Sequence, residues 1–148
     1  ALGEGVVVAE VQTPSDTTFR VWDWGRKGRT MHVDEAIECI DFDEAPLSFS
    51  QNAPLVSGHV QTTLLTLTGF FTAERIDALE DVAIDMSTDV SPRVLMTIEG
   101  EANIEHEHPV DASCGQTVLV PANTDITLSL RKDASVLVFD IPTETMIA

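Results

Sequence analysis

Histidine, cysteine and arginine supply most side chains that a metal, nucleophilic or anion site draws on, and this chain has few of them. It holds four histidines, two cysteines and six arginines in 148 residues. His106 and His108 alternate with Glu105 and Glu107. On a strand, alternate residues share a face, which would give a two-histidine grip on a metal ion. Pro109 follows at once, so the expected setting is a solvated turn of alternating charge. His32 and His59 stand alone and are expected to be structural or exposed. Cys39 and Cys114 belong to no C-x-x-C pair and are too few for a disulfide framework, so buried reduced thiols are expected.

Arg20 lies in a β-rich stretch beside Phe19, Val21 and Trp22. A partly buried cation there needs an anionic partner, either a carboxylate of the chain or a ligand. Arg26, Lys27 and Arg29 form the one basic cluster of the sequence. Arginine forks and lysine charges attract phosphate, although a solvated loop is the plainer setting.

The charge balance narrows the partners. There are 25 Asp and Glu against 8 Lys and Arg, a formal charge of −17. Such a field repels phosphate backbones and anionic lipid, so neither nucleic acid nor a membrane surface is an expected partner. With 43% hydrophobic and 22% charged residues the chain reads as globular, and at this length it buries roughly 70% of its unfolded surface. No stretch reaches the roughly 18 apolar residues of a membrane span. The first residues lack the basic region of a signal peptide, so the cytoplasm is the expected compartment.

The elements that must position these residues follow from pattern. Residues 5–11 (GVVVAEV) form a β-branched run of strand length, and residues 17–24 are again β-rich. Residues 34–40 fit a short helix, with Asp34 and Glu35 in its first turn and Ile37 and Ile40 on one face. Beyond about residue 48 short strands dominate: 60–68, 94–98, 116–120, 126–130 and 135–141. Turn residues separate them, as in Glu99-Gly100, Cys114-Gly115 and Pro121-Ala122-Asn123. Residues 73–80 satisfy helical composition and strand alternation alike, and the β surroundings favour a strand. The expected class is all-β, a sandwich or barrel with one helix near residues 33–41.

Glu99-Gly100-Glu101-Ala102 followed by Gly115, Pro121 and Asn123 resembles the second motif of the cupins, of the form G-x5-P-x-G/N-x2-H. Gly115 and Asn123 are residue types that tolerate positive φ at strand ends, and Pro121 suits a strand leaving its sheet. The resemblance implies a cupin-like jelly-roll barrel over about residues 48–142. Its metal histidine would fall on Ile126, and the segment before Leu95 (Asp85-Met86-Ser87-Thr88-Asp89-Val90) has no histidine pair. An aliphatic side chain supplies no nitrogen to zinc or iron, so the barrel is expected to be metal-free.

The first 45 residues carry a sharper resemblance. Ala1-Leu2-Gly3, residues 6–12, residues 15–26 with the block Trp22-Asp23-Trp24-Gly25-Arg26, and His32-Val33-Asp34-Glu35-Ala36 run in the order seen in class I mannose-6-phosphate isomerases, particularly the short bacterial form. That family interconverts mannose 6-phosphate and fructose 6-phosphate. It has two cupin-like barrels with zinc in the first, and moves a proton between C1 and C2 through an enediol-like intermediate. The resemblance assigns Arg20 as the active-site residue beside the developing enediolate, and Glu10 as an acidic residue of the same pocket. Arg26 and Lys27 are candidates for holding the phosphate of a hexose 6-phosphate.

By the same resemblance, residues 1–47 correspond to the end of the catalytic barrel plus a linker helix, and residues 48–148 to the C-terminal barrel lacking metal ligands. The family's zinc ligands would lie upstream of Ala1. Zinc is therefore expected of the parent family and not of this chain, which is expected to be inactive alone. A homodimer, or a complement with a chain carrying the first barrel, is the expected assembly. Two alternatives stand beside it: a free-standing cupin-like module that binds a sugar phosphate or a protein without turnover, and a small metalloenzyme built on His106 and His108.

Overall fold

The computed structural model describes residues 4–12, 18–40, 42–43 and 53–142. Ala1–Leu47 and Ser48–Ala148 form two separate compact units. The expectations placed on residues 1–3, 13–17, 41, 44–52 and 143–148 lie outside the described residues.

Among the described residues of the first unit the single regular element is the helix α1 (Val33–Glu38), with Asp34 and Glu35 in its first turn. Acidic side chains there complement the unpaired N–H groups of the helix start. Of the helix only Ala36 is buried, whereas Ile37 and Ile40 are about half exposed. The strands expected at 5–11 and 17–24 are not present among the described residues, which are irregular there. A β-branched run becomes a strand only when a neighbour accepts its backbone hydrogen bonds. No described segment pairs with this one.

The second unit is all-β. Its strands are β1 (Leu55–Ser57), β2 (Val60–Leu67), β3 (Thr72–Ala78), β4 (Val82–Asp85), β5 (Arg93–Glu99), β6 (Glu101–Glu105), β7 (Val110–Ser113), β8 (Thr117–Val120), β9 (Thr127–Leu130) and β10 (Ser135–Asp140). They make two antiparallel sheets, one of order β1-β2-β3-β10-β5-β8 and one of order β4-β9-β6-β7. This is a jelly roll, the expected class. The ambiguous segment at 73–80 is strand β3, pairing with both β2 and β10.

Alternation sets the two faces of each strand. In β6, Ala102 and Ile104 are buried between Glu101, Asn103 and Glu105; in β9, Leu128 and Leu130 are buried beside Thr127 and Ser129. Across the larger sheet Val138 pairs with Leu95, and Leu95 with Val118, giving a continuous apolar row. These side chains, with Ile76, Ile126, Val120 and Val136, form one core. Each buried aliphatic side chain of this kind contributes about 1.5–3 kcal/mol.

A single residue joins β5 to β6, which belong to different sheets. That residue, Gly100, has φ +68°, and a Cβ on it would stand 3.0 Å from the Ala134 Cβ. Only glycine fits the corner. Gly115 (φ +88°) and Asn123 (φ +54°) take the left-handed backbone their types suggested, and β8 ends at Val120, just before Pro121. Both cysteines are exposed, against expectation. Cys39 sits at the end of α1 and Cys114 in the turn after β7, where elements finish and cover is thin. Among the described residues no helix is long and apolar enough to cross a membrane.

Candidate functional site

Arg20 opens a loop that closes on itself. The His32 N–H donates to the Arg20 carbonyl at 2.9 Å, and the Arg20 N–H donates to His32 Nδ1 at 3.1 Å. The imidazole therefore carries its ring proton on Nε2. These two bonds make a neck between residues twelve apart, so residues 20–32 form a compact loop of the Ω kind. Inside it the Arg20 Nη1 donates to the Thr30 carbonyl at 3.1 Å. Among the described residues no carboxylate pairs with the Arg20 guanidinium, in a chain with 25 acidic residues. The guanidinium, at the surface, keeps donors for an anion from outside.

Asp23 is the buried anchor of the loop, at 9% exposure. Its Oδ1 accepts from Arg29 at 3.1 Å and lies 4.0 Å from Arg26. Its Oδ2 is buried with no partner among the described residues. The turn above it needs left-handed backbone at Trp24 (φ 52°), Gly25 (φ 74°) and Gly28 (φ 82°). For a residue as large as tryptophan that conformation costs about 1–2 kcal/mol. The price of this geometry leaves the Trp22 and Trp24 rings exposed, edge to face, with centroids 6.5 Å apart.

The other proposed residues spread out. Arg26 and Lys27 are exposed on the same loop. Glu10 is exposed, and among the described residues its carboxylate has no ion pair or hydrogen bond with Arg20. His106 and His108 lie beyond the end of β6, exposed in the connection to β7, on the rim of a cavity of about 610 Å³ floored by Ile104, Val118 and Ile126. Ile126, at the position the motif gives to a histidine, is 4% exposed and part of the apolar core.

Among the described residues no three His, Cys, Asp or Glu side chains converge as a zinc site requires, so these residues do not fit the ion. The segment before β5 is instead closed by an ion pair that sequence reading missed. Arg93 donates from Nε to Asp140 at 2.7 Å and from Nη1 to the Met86 carbonyl at 2.8 Å. Period-two alternation from the buried Leu95 and Thr97 was the available signal, since it places Arg93 on the same inward face.

Elsewhere the polar groups satisfy one another. Asp81 accepts from the Arg131 side chain at 2.7 Å and the Lys132 N–H at 2.9 Å. The Lys132 N–H, then the Arg131 guanidinium, hold its carboxyl below the ordinary value of 3.8. Asp85 is lowered by hydrogen bonds from Ser87, and Lys132 is raised by Glu80.

No family model matches the chain. Two curated proteins share a stretch of it. The mannose-6-phosphate isomerase of Streptococcus mutans is 32% identical over 77 residues, 49% of this chain and 24% of that protein. The isomerase ManA of Bacillus subtilis is 31% identical over 70 residues, 44% of this chain and 22% of that protein. The matches thus span less than a quarter of the relatives' length. Among solved structures, an RmlC-like cupin from Shewanella frigidimarina superposes with a TM-score of 0.58 at 14% identity, covering 67% of this chain and 91% of that one. KdgF from a Halomonas species gives 0.57 at 14% identity, over 66% and 93%. At such identities the likeness speaks of architecture alone: the chain has a cupin jelly-roll fold, and about half its sequence is similar to mannose-6-phosphate isomerases.

Proposed function

We propose that this chain belongs to a sugar-phosphate aldose–ketose isomerase that interconverts mannose 6-phosphate and fructose 6-phosphate. In this reading its first unit supplies the arginine-bearing stretch of the active site, and its second unit is a metal-free cupin barrel. The single observation that carries the proposal is the Arg20 guanidinium. It is held at the surface by the Thr30 carbonyl, on a residue that is partly buried overall, and is unpaired with any described carboxylate. The similarity to two isomerases supports the same assignment.

An aldose–ketose isomerisation moves one proton from C2 to C1 and one from O2 to O1, and the enediolate between these transfers carries negative charge on the oxygens of C1 and C2. A fixed cation beside them stabilises the enediolate more than the substrate, which is the condition for lowering the barrier. Arg20 is suited to that role because its backbone is latched on both sides by His32. Zinc, where the parent chemistry uses it, polarises the sugar oxygens, and in this proposal its ligands come from residues other than those described. The barrel of the second unit is given a structural or assembly role, with a second copy or a first-barrel chain as partner. The cytoplasm is the compartment that fits a phosphorylated sugar substrate.

The test is steady-state kinetics on the product of the complete gene, with Arg20→Ala and Arg20→Lys. The expected result is isomerase activity in the native protein and a fall in kcat of about 10²–10³-fold for Arg20→Ala, partly restored by lysine. Native kinetics in Arg20→Ala would remove Arg20 from the chemistry. A gene product that binds mannose 6-phosphate without converting it would favour a non-catalytic sugar-phosphate module.

A further inference from the structure

The loop of residues 20–32 does more than carry Arg20. It holds both tryptophans of the chain, and they are 69% and 68% exposed. Indole rings are large apolar surfaces that proteins seldom leave in water without a use. Here the backbone adopts a left-handed residue at Trp24, which keeps that ring outside. The pair is held edge to face at 73°, so one ring presents a face while the other forms a wall beside it. Two and three residues beyond Trp24 stand Arg26 and Lys27, both exposed. Asp23 anchors the loop from below through Arg29, at 3.1 Å, and sits at the 4.0 Å limit from Arg26. Lys27 has no ion pair among the described residues.

Exposed aromatic rings on the same loop as two exposed cations, of which Lys27 is unpaired among the described residues and Arg26 is only loosely paired, suit a ligand with two ends. One end is a ring whose C–H bonds can lie on indole, and the other is a phosphate that draws lysine and arginine donors. We propose that Trp22 and Trp24 form a stacking platform for the hexose ring, and that Arg26 and Lys27 take its 6-phosphate. This rests on the hexose-phosphate reading given above and names the side chains that hold the substrate away from the reacting carbons. The platform binds and orients; it takes no part in proton transfer.

Because both tryptophans are on this loop, intrinsic emission of the 148-residue chain reports on it directly. Titration with mannose 6-phosphate is expected to change the emission saturably, with an affinity in the range of about 0.1–10 mM. Mannose alone and inorganic phosphate alone are expected to bind at least about tenfold more weakly, since each engages one end of the site. Trp24→Asn keeps a residue that tolerates the left-handed backbone and leaves Trp22 as reporter. It is expected to weaken binding about fivefold or more, as is Lys27→Ala. An emission spectrum that mannose 6-phosphate leaves unchanged would overturn the platform. So would calorimetric binding of equal strength in the native chain and Trp24→Asn. Turnover by the complete gene product with silent tryptophans would sink the platform and leave the isomerase reading intact. Responsive tryptophans without turnover would do the reverse.

Discussion

Arg20 shows how much of a site one residue carries and how little of that its neighbours in sequence reveal. Its type and its apolar surroundings were legible, and they pointed to a cation in need of an anion. The latch that orients it was not. His32 is twelve positions away, and a lone histidine offers no pattern from which its partner can be read. Trp24 is a similar case, because nothing in its side chain announces a left-handed backbone and Gly25 beside it is the sole local hint. The clearest charge effect lies elsewhere, at Asp81. Its carboxyl is held below 3.8 by the Lys132 N–H and the Arg131 guanidinium. A lowered carboxylate contributes stability above its ordinary pKa, and that contribution is lost as pH falls through the lower folded value. Asp81→Asn is therefore expected to lower the urea midpoint at pH 7 and to lower it by less at pH 2, because below 3.8 the unfolded carboxyl already binds its proton and the advantage shrinks. A gap of equal size at both pH values, measured by urea unfolding, would assign the effect to packing instead. Asp81 is exposed to solvent, so the gap is expected to be small.

At the scale of elements, the pattern of β-rich runs separated by turn residues was enough to place strands such as β2, β5, β9 and β10. It failed in two instructive places. The run at residues 5–11 has the composition of a strand and no described partner. Strand formation depends on a hydrogen-bonding neighbour that local sequence cannot specify. The opposite error touches β1, β4 and β7, of three or four residues each. Such strands are too short for alternation to stand out, and their register is set by distant partners, as Val82 with Leu130 shows. The corner between β5 and β6 gives a direct test of how the two sheets are joined. Gly100→Ala adds both left-handed strain and a 3.0 Å contact with Ala134, and is expected to cost about 2–4 kcal/mol. Gly58→Ala shares the positive φ but meets nothing within 4 Å, so about 1 kcal/mol is expected. Denaturant unfolding of the two variants compares them, and equal losses would show that the contact with Ala134 is relieved at little cost.

At the scale of the whole molecule, the two units differ in what holds them. The second has a continuous apolar core, and Ile126, at the position the motif gives to a histidine, is part of it. The left-handed backbone at Gly115 and Asn123 could be read from their residue types. Among the described residues of the first unit only Asp23 and Ala36 are buried. Val7, Trp22, Trp24 and Phe42 all lie more than half exposed. In the isomerase proposed above, such exposed apolar residues would meet substrate or another protein surface. The measurement that tests the account most directly is proton NMR of mannose 6-phosphate in deuterated water with the product of the complete gene. The account predicts that fructose 6-phosphate appears, with solvent deuterium entering at C1 as the enediol intermediate exchanges its proton. A sugar spectrum that stays unchanged, with the protein folded by circular dichroism, would contradict it.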